Sequence, residues 1–185
     1  MRRLFLAIRI PQEPITEVMV KEIQHNFGFM DARWIELQYL HMTLKFFGPL
    51  NEKRIKKVIE LLGEYFKTQQ SFDMTVCKLS MFGSRGAPKV LWLGIEEEQQ
   101  LKKLAYGLQS ELDNLGLYAD RQNFVPHISL ARVEKTNSGS FFQKQMKRFQ
   151  EINLSPIKVQ SVVLLESIIS NKGVEYKLVK EFELS

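Results

Sequence analysis

The apolar positions of this chain change period as they run along it. Arg3 to Ile10 is a short apolar stretch closed by Pro11, the pattern of a strand. From Pro14 to Phe27, the residues Ile15, Val18, Met19, Ile23 and Phe27 recur at helical spacing, with Pro at the start and Gly28 at the end. Arg33 to Leu37 reads as a short extended piece, and Leu40 to Phe47 as a stronger strand closed by Gly48-Pro49. Asn51 supplies a cap for a second helix, whose apolar face is Ile55, Val58, Ile59, Leu62 and Phe66. Two strand-like runs come next, Phe72 to Met81 and Val90 to Ile95, separated by a loop over Gly83-Ser84-Arg85-Gly86-Ala87-Pro88. A third helix spans about Glu97 to Leu115 and ends at Gly116, and Pro126 introduces a strand from His127 to Val133. After a break at Asn137-Ser138-Gly139 comes a short helix, about Phe141 to Phe149. Strands Ile157 to Ser167 and Tyr176 to Phe182 close the chain around a turn at Asn171-Lys172-Gly173.

This alternation predicts an α+β fold with mainly antiparallel pairing. No stretch is long or polar enough to separate domains, so residues 1–185 are expected to form one unit. Two of the predicted strands read alike, His41-Met42-Thr43-Leu44 and His127-Ile128-Ser129-Leu130. They lie nearly half the chain apart, which suggests a duplication with two similar lobes. In a strand, residues two apart share a face, so each copy offers an imidazole beside a hydroxyl with apolar residues behind. Two such pairs facing each other would surround a small anion with two titratable rings and two hydroxyl donors. That equipment suits acid–base chemistry on a phosphodiester, because an unperturbed imidazole pKa of ~6.5 leaves both protonation states available near neutrality. The copies are too alike for their sequence to say which is acid and which is base.

Composition narrows the setting. With 44% hydrophobic and 25% charged residues the chain reads as an ordinary soluble globular protein. No apolar run approaches the ~18 residues of a membrane span. The opening Met-Arg-Arg-Leu-Phe-Leu-Ala-Ile begins like a signal peptide, but Arg9 and Pro11 come too soon, and it reads as the first strand. A single cysteine, Cys77, excludes an internal disulfide and suits a reducing compartment, so a cytoplasmic location is expected. The net charge of +5 is spread along the chain; it favours anionic partners such as RNA without establishing one. A metal hydrolase needs three or four His, Cys or carboxylate ligands, which these motifs do not supply, and no Gly-x-Ser-x-Gly elbow is present. Neither a metal nor another cofactor is expected.

Taken together, five segments resemble the 2H phosphoesterase superfamily, and within it the LigT-like RNA 2′,3′-cyclic phosphodiesterases. They are Arg3-Leu4-Phe5-Leu6-Ala7-Ile8, Leu40-His41-Met42-Thr43-Leu44-Lys45-Phe46-Phe47-Gly48, Val90-Leu91-Trp92-Leu93-Gly94, Phe124-Val125-Pro126-His127-Ile128-Ser129-Leu130-Ala131-Arg132, and Leu165-Glu166-Ser167 with Tyr176. The resemblance covers nearly the whole length. It implies two pseudo-symmetric lobes of mainly antiparallel sheet with outer helices, a central cleft holding both motifs, and no metal. It also implies hydrolysis of RNA 2′,3′-cyclic phosphodiester ends to 2′-phosphomonoesters, with His41 as proton donor and His127 as acceptor. Reverse 2′–5′ joining of RNA ends is raised by the same likeness.

Thr43 and Ser129 can donate to the non-bridging phosphate oxygens. Ser129 stands where the family usually has Thr; it keeps the hydroxyl but loses the methyl that fixes its rotamer. Lys45 is expected on the face of His41 and Thr43, adding positive charge at the phosphate. Arg132 matches the family's motif-end arginine, yet strict alternation puts it opposite His127 unless the strand bends. Phe46, Phe82, Trp92 and Phe124 can stack on a nucleobase, although core packing is the expectation for each. His25 is expected at the surface. Two other functions fit the same residues: a phosphodiesterase for a small nucleotide cyclic phosphate, and a non-catalytic module that binds RNA ends or nucleotides.

Overall fold

The computed structural model describes residues 1–185 apart from 85, 119–122, 153 and 172. Its elements are β1 (Arg2–Arg9), α1 (Pro14–Asn26), β2 (Met30–Trp34), β3 (His41–Leu50), α2 (Glu52–Lys67), β4 (Phe72–Met74), β5 (Val76–Ser84), β6 (Ala87–Ile95), α3 (Glu98–Asp113), β7 (His127–Thr136), α4 (Gly139–Arg148), β8 (Ile157–Val159), β9 (Ser161–Ser170) and β10 (Gly173–Glu183). Arg85 and Lys172, both expected in loops, lie outside the described residues.

The main sheet runs β10-β9-β1-β3-β7-β6-β5, with β2 paired to β7, and β4 and β8 form a separate two-stranded sheet. All of these pairings are antiparallel, so the fold is α+β as expected. The two motif strands, β3 and β7, meet at one registered pair only, Met42–Ile128. Further along, the same edge of β7 is taken by β2, from Ala131 to Thr136. A 3₁₀ turn at Leu37–Tyr39 carries the chain from β2 to β3. The sheet therefore consists of two ribbons, β10-β9-β1-β3 and β7-β6-β5, joined where the motifs touch.

Alternation gives the sheet two unlike faces. Leu4, Leu6, Ile8, Met42, Leu91, Leu93 and Ile128 point into the main core, where they meet Ile23 of α1, Leu62 of α2, Leu108 of α3 and Phe142 of α4. On the other face Phe5, Ala7, Val163 and Leu165 form a small separate cluster against Tyr176. β1, read as a strand from a run of apolar residues, is buried on both faces for this reason. Among the described residues no helix is long and apolar enough to cross a membrane.

Several boundaries differ from the sequence reading. α1 is rolled: it buries Thr16, Met19, Val20 and Ile23, while Ile15 and Val18 are 49% and 66% exposed. Met19 and Ile23 belong to two overlapping stripes, and packing on the sheet selects the one through Thr16 and Val20. The extended piece expected at 33–37 is β2 at 30–34, because the chain turns into the 3₁₀ segment after Ile35 bonds to Leu130 O. The run from Phe72 to Met81 breaks at Thr75, whose N–H and hydroxyl both donate to the Glu97 carboxylate at 2.7 Å. The loop expected at 83–88 is narrower, since β5 and β6 continue to Ser84 and Ala87. Gly83 makes this possible at φ 105°, where an added Cβ would meet Ala87 O at 2.5 Å. The Asn51 cap is present: its side chain accepts the Arg54 N–H at 2.9 Å, worth ~1 kcal/mol.

Candidate active site

Both motifs present their imidazole and hydroxyl on the face away from the main core. His41 and Thr43 pair in register with Arg9 and Ala7 of β1, and His127 and Ser129 with Gly94 and Trp92 of β6. The Met42–Ile128 pair sets their mutual placement. It puts Thr43 across from His127, and His41 across from Ser129. The histidines are thus diagonal neighbours, a relation that spans about 7–8 Å in a sheet.

Each ring is held the same way. His41 Nδ1 bonds to Tyr39 O at 2.7 Å, and His127 Nδ1 to Val125 O at 2.7 Å. A carbonyl only accepts, so Nδ1 carries the hydrogen and Nε2 is the nitrogen left to exchange a proton with substrate. Aromatic walls fix the ring planes. His41 packs against Phe5 (5.0 Å) and Tyr176 (5.2 Å, edge-on), which touch each other; His127 packs against Phe82 (4.9 Å, edge-on) and Trp92 (5.8 Å), which also touch. Burial pushes both imidazole pKa values below the ordinary 6.5, opposed by the carbonyl bonds. A positive charge on His127 lowers His41 further. Burial thus favours the neutral form of both rings in the free protein.

A bulge in each motif strand resets the alternation just past the hydroxyl. On β3 the partners step from Thr43↔Ala7 to Lys45↔Leu6, leaving Leu44 extra. On β7 they step from Ser129↔Trp92 to Ala131↔Leu91, leaving Leu130 extra. An extra residue shifts alternation by one. Lys45 therefore pairs with core-facing Leu6 rather than sharing the face of His41 and Thr43, which corrects the sequence expectation, and its Nζ donates to Tyr118 O at 2.7 Å. Arg132, which strict alternation placed opposite His127, instead returns to the open face, and its charge reaches the Tyr176 hydroxyl. Burial raises the pKa of that hydroxyl and Arg132 opposes the rise.

The four aromatic candidates separate. Phe46 is 61% exposed on the open face, 6.0 Å from Phe5, so core packing was the wrong expectation for it. Phe82 and Trp92 wall His127, and Phe124 packs against the main core. His25 is exposed, as expected. A cavity of about 870 Å³ opens beside Thr43 and His127, with Lys45, Phe82 and Phe124 on its wall and Leu108 of α3 behind. A smaller hollow of about 520 Å³ near Cys77 and Glu98 includes neither motif histidine. Among the described residues no three His, Cys, Asp or Glu side chains gather into a metal-ligating group. Phe5 and Tyr176, and the carbonyls of Tyr39 and Val125, carry functions that the sequence did not assign them.

A sheet with two imidazole–hydroxyl pairs on its open face has the groups that acid–base chemistry on a small anion requires. The chain belongs to the 2′-5′ RNA ligase superfamily, whose profile matches residues 11–167. It is 30% identical to an RNA 2′,3′-cyclic phosphodiesterase of Thermotoga maritima, over 97% of this chain and 94% of that one. It is 28% identical to an RNA 2′,3′-cyclic phosphodiesterase of Archaeoglobus fulgidus, over 98% and 99%. Among solved structures it resembles Escherichia coli LigT complexed with 3′-AMP, with a TM-score of 0.78 and 25% identity, covering 100% of this chain and 98% of that one. A Thermus thermophilus protein shares the fold at a TM-score of 0.82 and 23% identity, covering 98% and 97%.

Proposed function

We propose that this chain is an RNA 2′,3′-cyclic phosphodiesterase that opens the cyclic ester to a 2′-phosphomonoester with two histidines and no metal. The observation that carries the reading is the diagonal pair of imidazoles, each anchored through Nδ1 on a carbonyl and each facing the other strand's hydroxyl. Full-length relatives named for this activity support it. Water attacks phosphorus while His127 Nε2 takes its proton. The P–O3′ bond breaks opposite, and His41 Nε2–H protonates the departing ribose oxygen. Thr43, Ser129 and Arg132 donate to the non-bridging oxygens as charge concentrates there. The order of the two histidines follows the family resemblance. Lys45 is given no contact with the reacting phosphate in this reading: it pairs with Leu6 and, on the wall of the cavity beside Thr43 and His127, donates from Nζ to Tyr118 O. With an RNA 5′-hydroxyl in place of water, the same pair in the same roles joins ends through a 2′–5′ linkage: His127 takes the hydroxyl proton, and His41 protonates O3′ as the P–O3′ bond breaks. We place the protein in the reducing cytoplasm, as one unit of two lobes, in keeping with its free Cys77 and continuous sheet.

The test is hydrolysis, with EDTA present, of an oligoribonucleotide ending in a 2′,3′-cyclic phosphate, beside a 2′,3′-cyclic mononucleotide. Turnover of the RNA end to 2′-phosphate supports the reading. Turnover of the mononucleotide alone would favour a small cyclic phosphate, and binding without turnover would favour a binding module.

A further inference from the structure

The two ends of the histidine pair are unlike. The His127–Thr43 end adjoins the cavity. The His41–Ser129 end adjoins arginines. Arg9 is the registered partner of His41 on β1, and Arg132 comes after Ser129 on the same face of β7. Arg33 of β2 is the registered partner of Arg132, so the two guanidinium-bearing residues stand directly opposite each other on one face. Like charges so placed oppose sheet pairing. Among the described residues Arg33 is paired with Glu134 alone, through a 2.7 Å contact with its own side chain 82% exposed, which is worth little in water. Arg9 and Arg132 form no salt bridge among the described residues. Such a strip is relieved by a bound polyanion.

The chemistry says which one. If His41 protonates the leaving ribose oxygen, the terminal ribose lies at the His41 end, and the rest of the RNA chain leaves the site there. We infer that Arg9, Arg132 and Arg33 form a track for the backbone phosphates upstream of the cyclic end, making this site one for RNA chains rather than for free cyclic nucleotides. The track rests on the phosphodiesterase reading for its direction, but its binding is measurable without turnover.

The experiment is titration of a short fluorescent oligoribonucleotide ending in a 2′-phosphate against the wild type and the variants Arg9→Ala, Arg33→Ala and Glu134→Gln, at several salt concentrations. Each arginine loss weakens binding roughly ten-fold. Each also makes the dependence of log K on log salt shallower by about 0.7. Glu134→Gln, which removes the anion beside Arg33, tightens binding. The preference for the oligonucleotide over a nucleoside 2′-phosphate narrows in the arginine variants. All three side chains are exposed, and unchanged thermal midpoints establish that the variants fold. Affinity and salt slope equal to wild type in both arginine variants would overturn the track. Cyclic-end hydrolysis by the same samples is scored separately: its absence in the wild type overturns the phosphodiesterase reading, while the salt slopes still decide the track.

Discussion

Leu44 and Leu130 occupy the same irregularity in two different strands. Each is the one extra residue between two cross-strand pairs, each comes directly after the motif hydroxyl, and each is buried in the main core, at 6% and 1% exposure. The bulges preserve the imidazole–hydroxyl pair and invert the facing of the residues beyond it. They turn Lys45 toward the core side and bring Arg132 onto the open face.

Arg132 and Lys45 are accordingly predicted to differ. Arg132→Ala lowers kcat/KM on a cyclic-ended RNA by about ten-fold or more, the loss of a charged hydrogen bond. Lys45→Ala changes it by no more than about three-fold, on the scale of a surface substitution. Steady-state kinetics on the two variants reads the contrast directly.

Acid–base function depends on the aromatic walls. Phe82→Ala removes one wall of His127 and admits water, so the His127 pKa rises toward 6.5, since burial is the main force holding it down. NMR titration of the ring carbons in this variant and in wild type measures the change. His41, walled by Phe5 and Tyr176, stays depressed, and the charge gained on His127 lowers it further.

The pH profile derives from the same shifts. Catalysis needs one neutral and one protonated imidazole, and both pKa values lie below 6.5 in the free protein. The kcat/KM profile is a bell centred on the acid side of 6.5, reporting the coupled pair rather than either ring. A bound phosphate favours the charged form, so product raises both values. For stability the sign is fixed: groups depressed in the folded state take up more protons when unfolded, so their contribution is complete above 6.5 and is lost as pH falls. Urea denaturation across that range shows the decline, and replacing both histidines with Gln flattens it.

The hydroxyls act on charge rather than on protons. Ser129→Ala and Thr43→Ala each lower kcat by about ten-fold to a hundred-fold, below the cost of a histidine. The pH optimum stays in place in both. Ser129→Thr retains activity, because the hydroxyl donor is kept.

The repeated His-x-Thr/Ser-Leu strings are legible in the sequence because a strand's two-residue period fixes which side chains share a face. Asn51 is legible as a cap because its role is local. Arg132 and Lys45 are not, since a bulge is a property of two strands and shows only when the register of β7 against β6, or β3 against β1, is known. The anchors on Tyr39 O and Val125 O are backbone atoms, which any residue supplies. Phe5 hides in a strand apolar on both faces, where alternation carries no sign. The roll of α1 escapes for a related reason, because two apolar stripes overlap and only the sheet chooses between them.

The central claim is that His41 and His127 are the acid and base of one reaction. The measurement that tests it most directly is single-turnover cleavage of a cyclic-ended oligoribonucleotide by wild type, His41→Ala, His127→Ala and the double variant, with EDTA present. Each single change lowers the rate by about 10²–10⁴-fold. The double variant is far less impaired than the product of the two losses, as befits groups acting in one step. Either single variant within a few-fold of wild type would contradict the account.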